Sequence, residues 1–80
     1  MVQAKARLME FVVSFAPSLS SDDLAHVVEL VEVNEPDVAV TELAWALEAA
    51  GFAPDAEQIA AFRRLAPEFA ADDDWPPRYR

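Results

Sequence analysis

The chain has 80 residues, 54% of them apolar, with 15 acidic side chains, 6 basic ones, one histidine and no cysteine, for a formal charge of −9. A chain this short buries only about 60–65% of the surface its unfolded form exposes, which bounds it at one domain and excludes a large cofactor-binding enzyme with a deep cleft beside its core. Without cysteine there is neither a disulfide framework nor a thiolate metal site, and one histidine cannot build a histidine zinc site, so no metal or cofactor is expected and the core must hold by apolar packing.

Proline does most of the punctuation: one glycine, Gly51, and prolines at 17, 36, 54, 67, 76 and 77 divide the chain into periodic apolar segments. From about Val2 to Ala16, Leu8, Phe11, Val12 and Phe15 fall at i, i+3, i+4 and i+7, which predicts a first helix ending near Pro17. Ser20 with Asp23 reads as a capping-box-like start and Leu19 with Leu24 as a hydrophobic staple, opening a second helix whose stripe is Leu24, Val27, Val28 and Val31. That helix is expected to stop around Asn34. Pro36 suits a first helical turn, Val40, Leu43, Ala44 and Leu47 make the third stripe, and Gly51 closes it with Phe52 covering the last turn. Pro54 opens a fourth helix burying Ile59, Phe62, Leu65 and Ala66, with Phe69 continuing the line if the chain stays helical past Pro67, where a break or kink is expected. The expected fold is all-α: a compact antiparallel four-helix bundle over residues 1–71 with an extended C-terminal tail over residues 72–80. Trp75, Arg78 and Tyr79 on that tail either fold back over the core or reach a partner.

The chemistry-bearing residues do not form a catalytic set. His26 sits among apolar residues of the second helix, where a lone histidine is expected at the core edge with one hydrogen bond, and no nucleophile elbow or glycine-lined turn marks an oxyanion hole. Asp72, Asp73 and Asp74 lack the spaced ligands, turn glycine and closing glutamate of a calcium loop and read as a solvated acidic segment. An acyl-carrier reading fails as well, because Ser18-Leu19 follows Pro17 instead of the aspartate that its attachment motif requires. The expectation is a protein without enzymatic activity.

Charge is distributed unevenly. Glu29, Glu32, Glu35, Asp37 and Glu42 run from the end of the second helix into the third, and no basic residue lies between Asp22 and Asp55. A face of one sign is either a solvated coat or a docking surface for a cationic partner. Trp45 projects about 140–160° from the Val40–Leu47 stripe, near Val38, and a tryptophan off the core stripe beside carboxylates has the composition of an interface anchor. The other reading places the third helix centrally, packed on both sides. Nucleic acid is not an expected partner, since the net charge repels phosphates. Neither is a membrane, since no charge-poor apolar run approaches the roughly 20 residues needed to span one. With no basic segment, apolar stretch and cleavage site at the N-terminus, a cytoplasmic location is expected.

The segment Ser20 to Trp75 resembles the small MafI-type immunity proteins of bacterial polymorphic toxin systems. The resemblance rests above all on Val28-Glu29-Leu30-Val31-Glu32-Val33-Asn34-Glu35-Pro36-Asp37-Val38-Ala39-Val40, followed by Glu42-Leu43 and Leu47. The shared pattern is an acidic amphipathic helix, a Glu-Pro turn, a leucine-rich helix and a final helix begun by a proline- or serine-type cap. The chain departs from it at Val40, where leucine is common, and from Trp45 to Ala50, where the pattern has a polar, tyrosine-rich end. The resemblance implies a cytosolic protein that neutralises a cognate secreted toxin domain, often a nuclease with a basic cleft. The partner-binding residues would be Glu29, Glu32, Glu35, Asp37, Val38, Glu42 and Trp45. The competing expectation is a self-associating or regulatory helical module, a homodimer formed through Met9, Val13, Val38 and Trp45.

Overall fold

A computed structural model describes residues 2–69 and 74–80, and these form four α-helices and two short 3₁₀ turns. The helices are α1 (Val2–Val13), α2 (Ser21–Glu32), α3 (Pro36–Ala49) and α4 (Ala56–Phe69); the turns are η1 (Ala16–Ser18) and η2 (Pro77–Tyr79). The chain is an all-α helical bundle, as the apolar spacing predicts. Helix α1 ends at Val13, short of Pro17. There the Ser14 hydroxyl donates to the Phe11 carbonyl at 2.6 Å and the Phe15 amide bonds three residues back to Val12, tightening the chain into η1.

Each later boundary has a local cause. Ser20 caps α2 by accepting from the Asp23 amide at 3.1 Å. At the other end Asn34 takes φ 66°, the Glu35 amide reaches the Leu30 carbonyl at 2.9 Å, and the Asn34 amide reaches Val31 at 3.2 Å. That is a Schellman ending built on asparagine, and it turns the chain directly into Pro36 at the start of α3. Helix α3 ends the same way on Gly51 at φ 75°, with the Phe52 amide bonded to Leu47 at 3.0 Å and the Gly51 amide to Glu48 at 3.1 Å. Helix α4 starts at Ala56 by a reciprocal box: Asp55 Oδ1 accepts from the Gln58 amide at 2.8 Å, while Gln58 Oε1 accepts from the Asp55 amide at 2.9 Å. Pro54 therefore lies just outside α4 and Asp55 is its cap. Of the break or kink expected at Pro67, the break does not occur, since α4 continues to Phe69. So close to the helix end, proline forfeits one backbone bond and has little ladder left to disrupt.

Helix α3 is the centre of the bundle, with Ala39, Val40, Leu43, Ala44 and Leu47 all fully buried. It packs most extensively on α2 and also meets α1, which lies along α2. Residue numbers run in opposite directions across both seams: Asp23 near the start of α2 shares a groove with Ala49 at the end of α3, and Lys5 near the start of α1 reaches the Glu32 carbonyl at the end of α2. Helix α4 joins through mostly edge-to-face aromatic contacts. The Phe62 ring stands 5.0 Å from Phe11, 5.8 Å from Phe15, 5.6 Å from Trp75 and 4.7 Å from Tyr79. Trp75, Pro76 and Tyr79 are among the most deeply buried side chains of the molecule, so over residues 74–80 the chain folds back over the core, one of the two placements expected for it, and does not extend away as a tail; Asp74, Pro77, Arg78 and Arg80 stay exposed. Asp72 and Asp73 lie outside the described residues, as do the side chains of Ala66 and Phe69. No helix among the described residues is long and apolar enough to cross a membrane.

Candidate functional site

The outer side of the α2–α3 hairpin follows from the spacing that built its inner side. With Leu43 and Leu47 inward, Val38, Glu42, Trp45 and Ala49 fall at i, i+4, i+7 and i+11 on the opposite flank of α3. All four are exposed, and the Trp45 side keeps 46% of its surface in solvent. On α2, Asp22, His26, Glu29 and Val33 make the corresponding exposed line. Where the two lines meet, Asp23, His26, Glu42, Trp45 and Ala49 border a shallow groove of about 240 Å³.

His26 Nε2 lies 3.8 Å from Glu42 Oε1, with 57% of the histidine side chain exposed. The histidine is thus a surface residue and not the core-edge residue expected from its apolar neighbours in sequence. A contact that open and that long contributes little to stability. Trp45 is fixed more firmly, since its Nε1 donates to the Asp74 carbonyl at 2.6 Å. The indole has its polar end satisfied by the C-terminal segment and its ring left facing solvent, the amphipathic placement in which tryptophan serves at interfaces.

All five carboxylates named from the sequence are exposed, but they do not share one face. Glu42 stands on the Trp45 flank, and Glu29 lies on the same line of α2 as His26. Glu35 is the turn residue whose carbonyl accepts the first α3 bond from Ala39. Asp37 lies about 140° around α3 from Glu42, and Glu32 about 60° around α2 from Glu29, toward the α1 side. The large apolar residues exposed on the hairpin are Val33, Val38 and Trp45.

Neither α2 nor α3 carries a basic residue in its last turn. The cations that favour those helix ends come from other parts of the chain. Lys5 Nζ donates to the Glu32 carbonyl at 3.1 Å, and Arg78 Nε lies 3.1 Å from Glu48 Oε1 near the end of α3. The C-terminal segment is further held by Arg80 Nε to the Trp75 carbonyl at 2.9 Å and Arg63 Nε to the Arg80 carbonyl at 2.7 Å.

Comparison with protein-family models, curated proteins and solved structures gives no match to this chain. The hairpin has to be read on its own geometry. The sequence missed the bond between Trp45 and Asp74, because nothing in local spacing couples residues on either side of α4. The signal it did carry was a tryptophan and a tyrosine four apart in a segment that cannot be a regular helix, a large apolar load with no helical face to hold it.

Proposed function

We propose that the chain is an immunity-type protein of the MafI kind, a cytoplasmic inhibitor with no catalytic role that binds a secreted toxin domain. A nuclease is the partner its charge fits best. The observation that carries this reading is the half-exposed Trp45 ring, fixed through its indole N–H and aligned with Val38 and Glu42 on a hairpin free of basic residues. A nuclease attracts phosphates and so presents a basic cleft; a field of carboxylates is steered to it quickly and pairs with its arginines and lysines. In this division of labour Glu29, Glu32, Glu35, Asp37 and Glu42 speed encounter, while Val38 and Trp45 form the apolar centre that holds the complex.

The test is to express the reading frame that adjoins this chain's own, to establish whether it ends in a secreted-toxin domain, and to co-express that domain with the chain, followed by association kinetics at several ionic strengths. Rescue of growth and an association rate that falls steeply with salt are expected. Glu42→Gln and Glu29→Gln should slow association, and Trp45→Ala should speed dissociation by about 30-fold or more. Absence of both rescue and binding would sink the proposal, and a complex that leaves the hairpin in solvent would sink its mechanism. The exposed Val13, Val33, Val38 and Trp45 also favour a second reading, a self-associating module. Sedimentation separates them: a tight dimer of the isolated chain with Trp45 buried supports self-association.

A further inference from the structure

The cations of this acidic chain are mostly engaged. Lys5, Arg63, Arg78 and Arg80 each hold a carbonyl or a carboxylate. Among the described residues Arg7 and Arg64 are the two with no hydrogen-bond or ion-pair partner, and they line the same groove. It lies between α1 and α4, with no lining residue from α2 or α3, and holds about 330 Å³. Arg7, Leu8 and Phe11 border it from α1 and Arg64, Leu65 and Glu68 from α4, with Ala4 and Ala61 completing the wall. On each helix the lining residues are spaced i, i+3, i+4 and i+7, so two turns of each present one face to the gap.

We propose that this groove binds a medium-chain aliphatic carboxylate, its chain along Leu8, Phe11 and Leu65 and its head between the Arg7 and Arg64 guanidinium groups. The volume lies at the small-ligand end of the range for ligand pockets. The wall from i to i+7 measures about 10 Å, which suits an extended chain of about eight carbons. Guanidinium pairs with carboxylate through two parallel hydrogen bonds, and two guanidinium groups without a partner among the described residues, at a groove lined by Leu8, Phe11 and Leu65, supply that geometry where most of the surface repels anions. Glu68 on the same wall disfavours a doubly charged head and selects for one with a single charge.

The site is independent of the hairpin, and its test does not involve the toxin partner. Octanoate is titrated into the full chain by calorimetry and by amide chemical shifts, with 1-octanol as the uncharged control. Saturable one-to-one binding is expected, with shifts centred on α1 and α4 and octanol clearly weaker. Arg7→Gln and Arg64→Gln should each weaken octanoate by about tenfold, and Ala61→Leu, which fills the groove, should abolish binding at an unchanged helical content. Three results overturn the proposal: no saturable binding below the micelle-forming concentration, octanol binding as tightly as octanoate, or arginine variants that bind like the parent.

Discussion

Tyr79 carries a hydroxyl into the core where no described group meets it, and Trp75 does the same with its indole N–H. An unmet buried polar group costs about 1–3 kcal/mol, so removing one that makes no bond recovers part of that cost. Tyr79→Phe should therefore leave stability in urea unchanged or raise it by up to about 1 kcal/mol at pH 7. Burial pushes the Tyr79 hydroxyl above its ordinary value, helped by the Glu48 carboxylate and opposed by Arg78. A folded-state value above the unfolded one means that the stabilising contribution is complete below pH about 10 and is lost as the pH rises through the folded value. Urea midpoints at neutral pH and near pH 11 should fall further for the parent than for Tyr79→Phe; equal losses would remove tyrosine ionisation as the cause. Trp45 calls for a similar comparison. Trp45→Phe keeps a ring on the surface but loses the bond to Asp74, with an expected cost of about 1 kcal/mol in unfolding free energy. Any effect of Trp45→Ala on a partner must be measured against that variant, because the same side chain tethers the C-terminal segment and faces solvent.

At the scale of the helix, the chain stops α2 and α3 by one device with two different residues. Gly51 adopts φ 75° freely, and a Cβ placed there meets nothing within 4 Å, so the cost of Gly51→Ala comes from the backbone alone and should be about 1–2 kcal/mol. Asn34 already carries a side chain at φ 66°, which predicts that Asn34→Gly changes stability little while Asn34→Ala loses about 1 kcal/mol. Chemical denaturation of the three variants checks this; a neutral Gly51→Ala would contradict the left-handed cap. Most helix starts were legible because capping is a local competition for free amides, as at Ser20, and the stripes of α2 and α3 were legible because burial follows helical spacing. The reading erred where a local rule met a local exception. At Ser14 a hydroxyl takes the Phe11 carbonyl and ends α1 early, and at Pro67 a proline so near the helix end breaks nothing.

For the whole molecule, the C-terminal segment takes one of the two placements expected of it, folded back over the core. The radius of gyration is 11.3 Å, against about 12 Å for a compact folded chain of this length, which leaves no room for a projecting tail. Trp75 and Tyr79 pack on Phe62, and Phe62 in turn links Phe11 and Phe15. Losing a buried aromatic costs about 3–5 kcal/mol, and a domain of this size holds only about 4–12 kcal/mol in all. Truncation after residue 73 should accordingly abolish cooperative thermal unfolding; a sharp transition within a few degrees of the parent would show that the segment is dispensable. The same truncation cannot separate partner contact from folding, so point variants on the hairpin are the proper probes of binding. By itself the sequence determined the helical class, the inward stripes and most of the caps, because each depends on residues within one or two turns of each other. It also determined that the hairpin is anionic, since charge needs no geometry. Only the tertiary structure decided that Trp75, Pro76 and Tyr79 complete the core, that Trp45 is both tether and exposed ring, and that the five carboxylates point in several directions. Those outcomes depend on which distant surfaces lack a partner once the helices have packed, and spacing along a chain does not encode that directly.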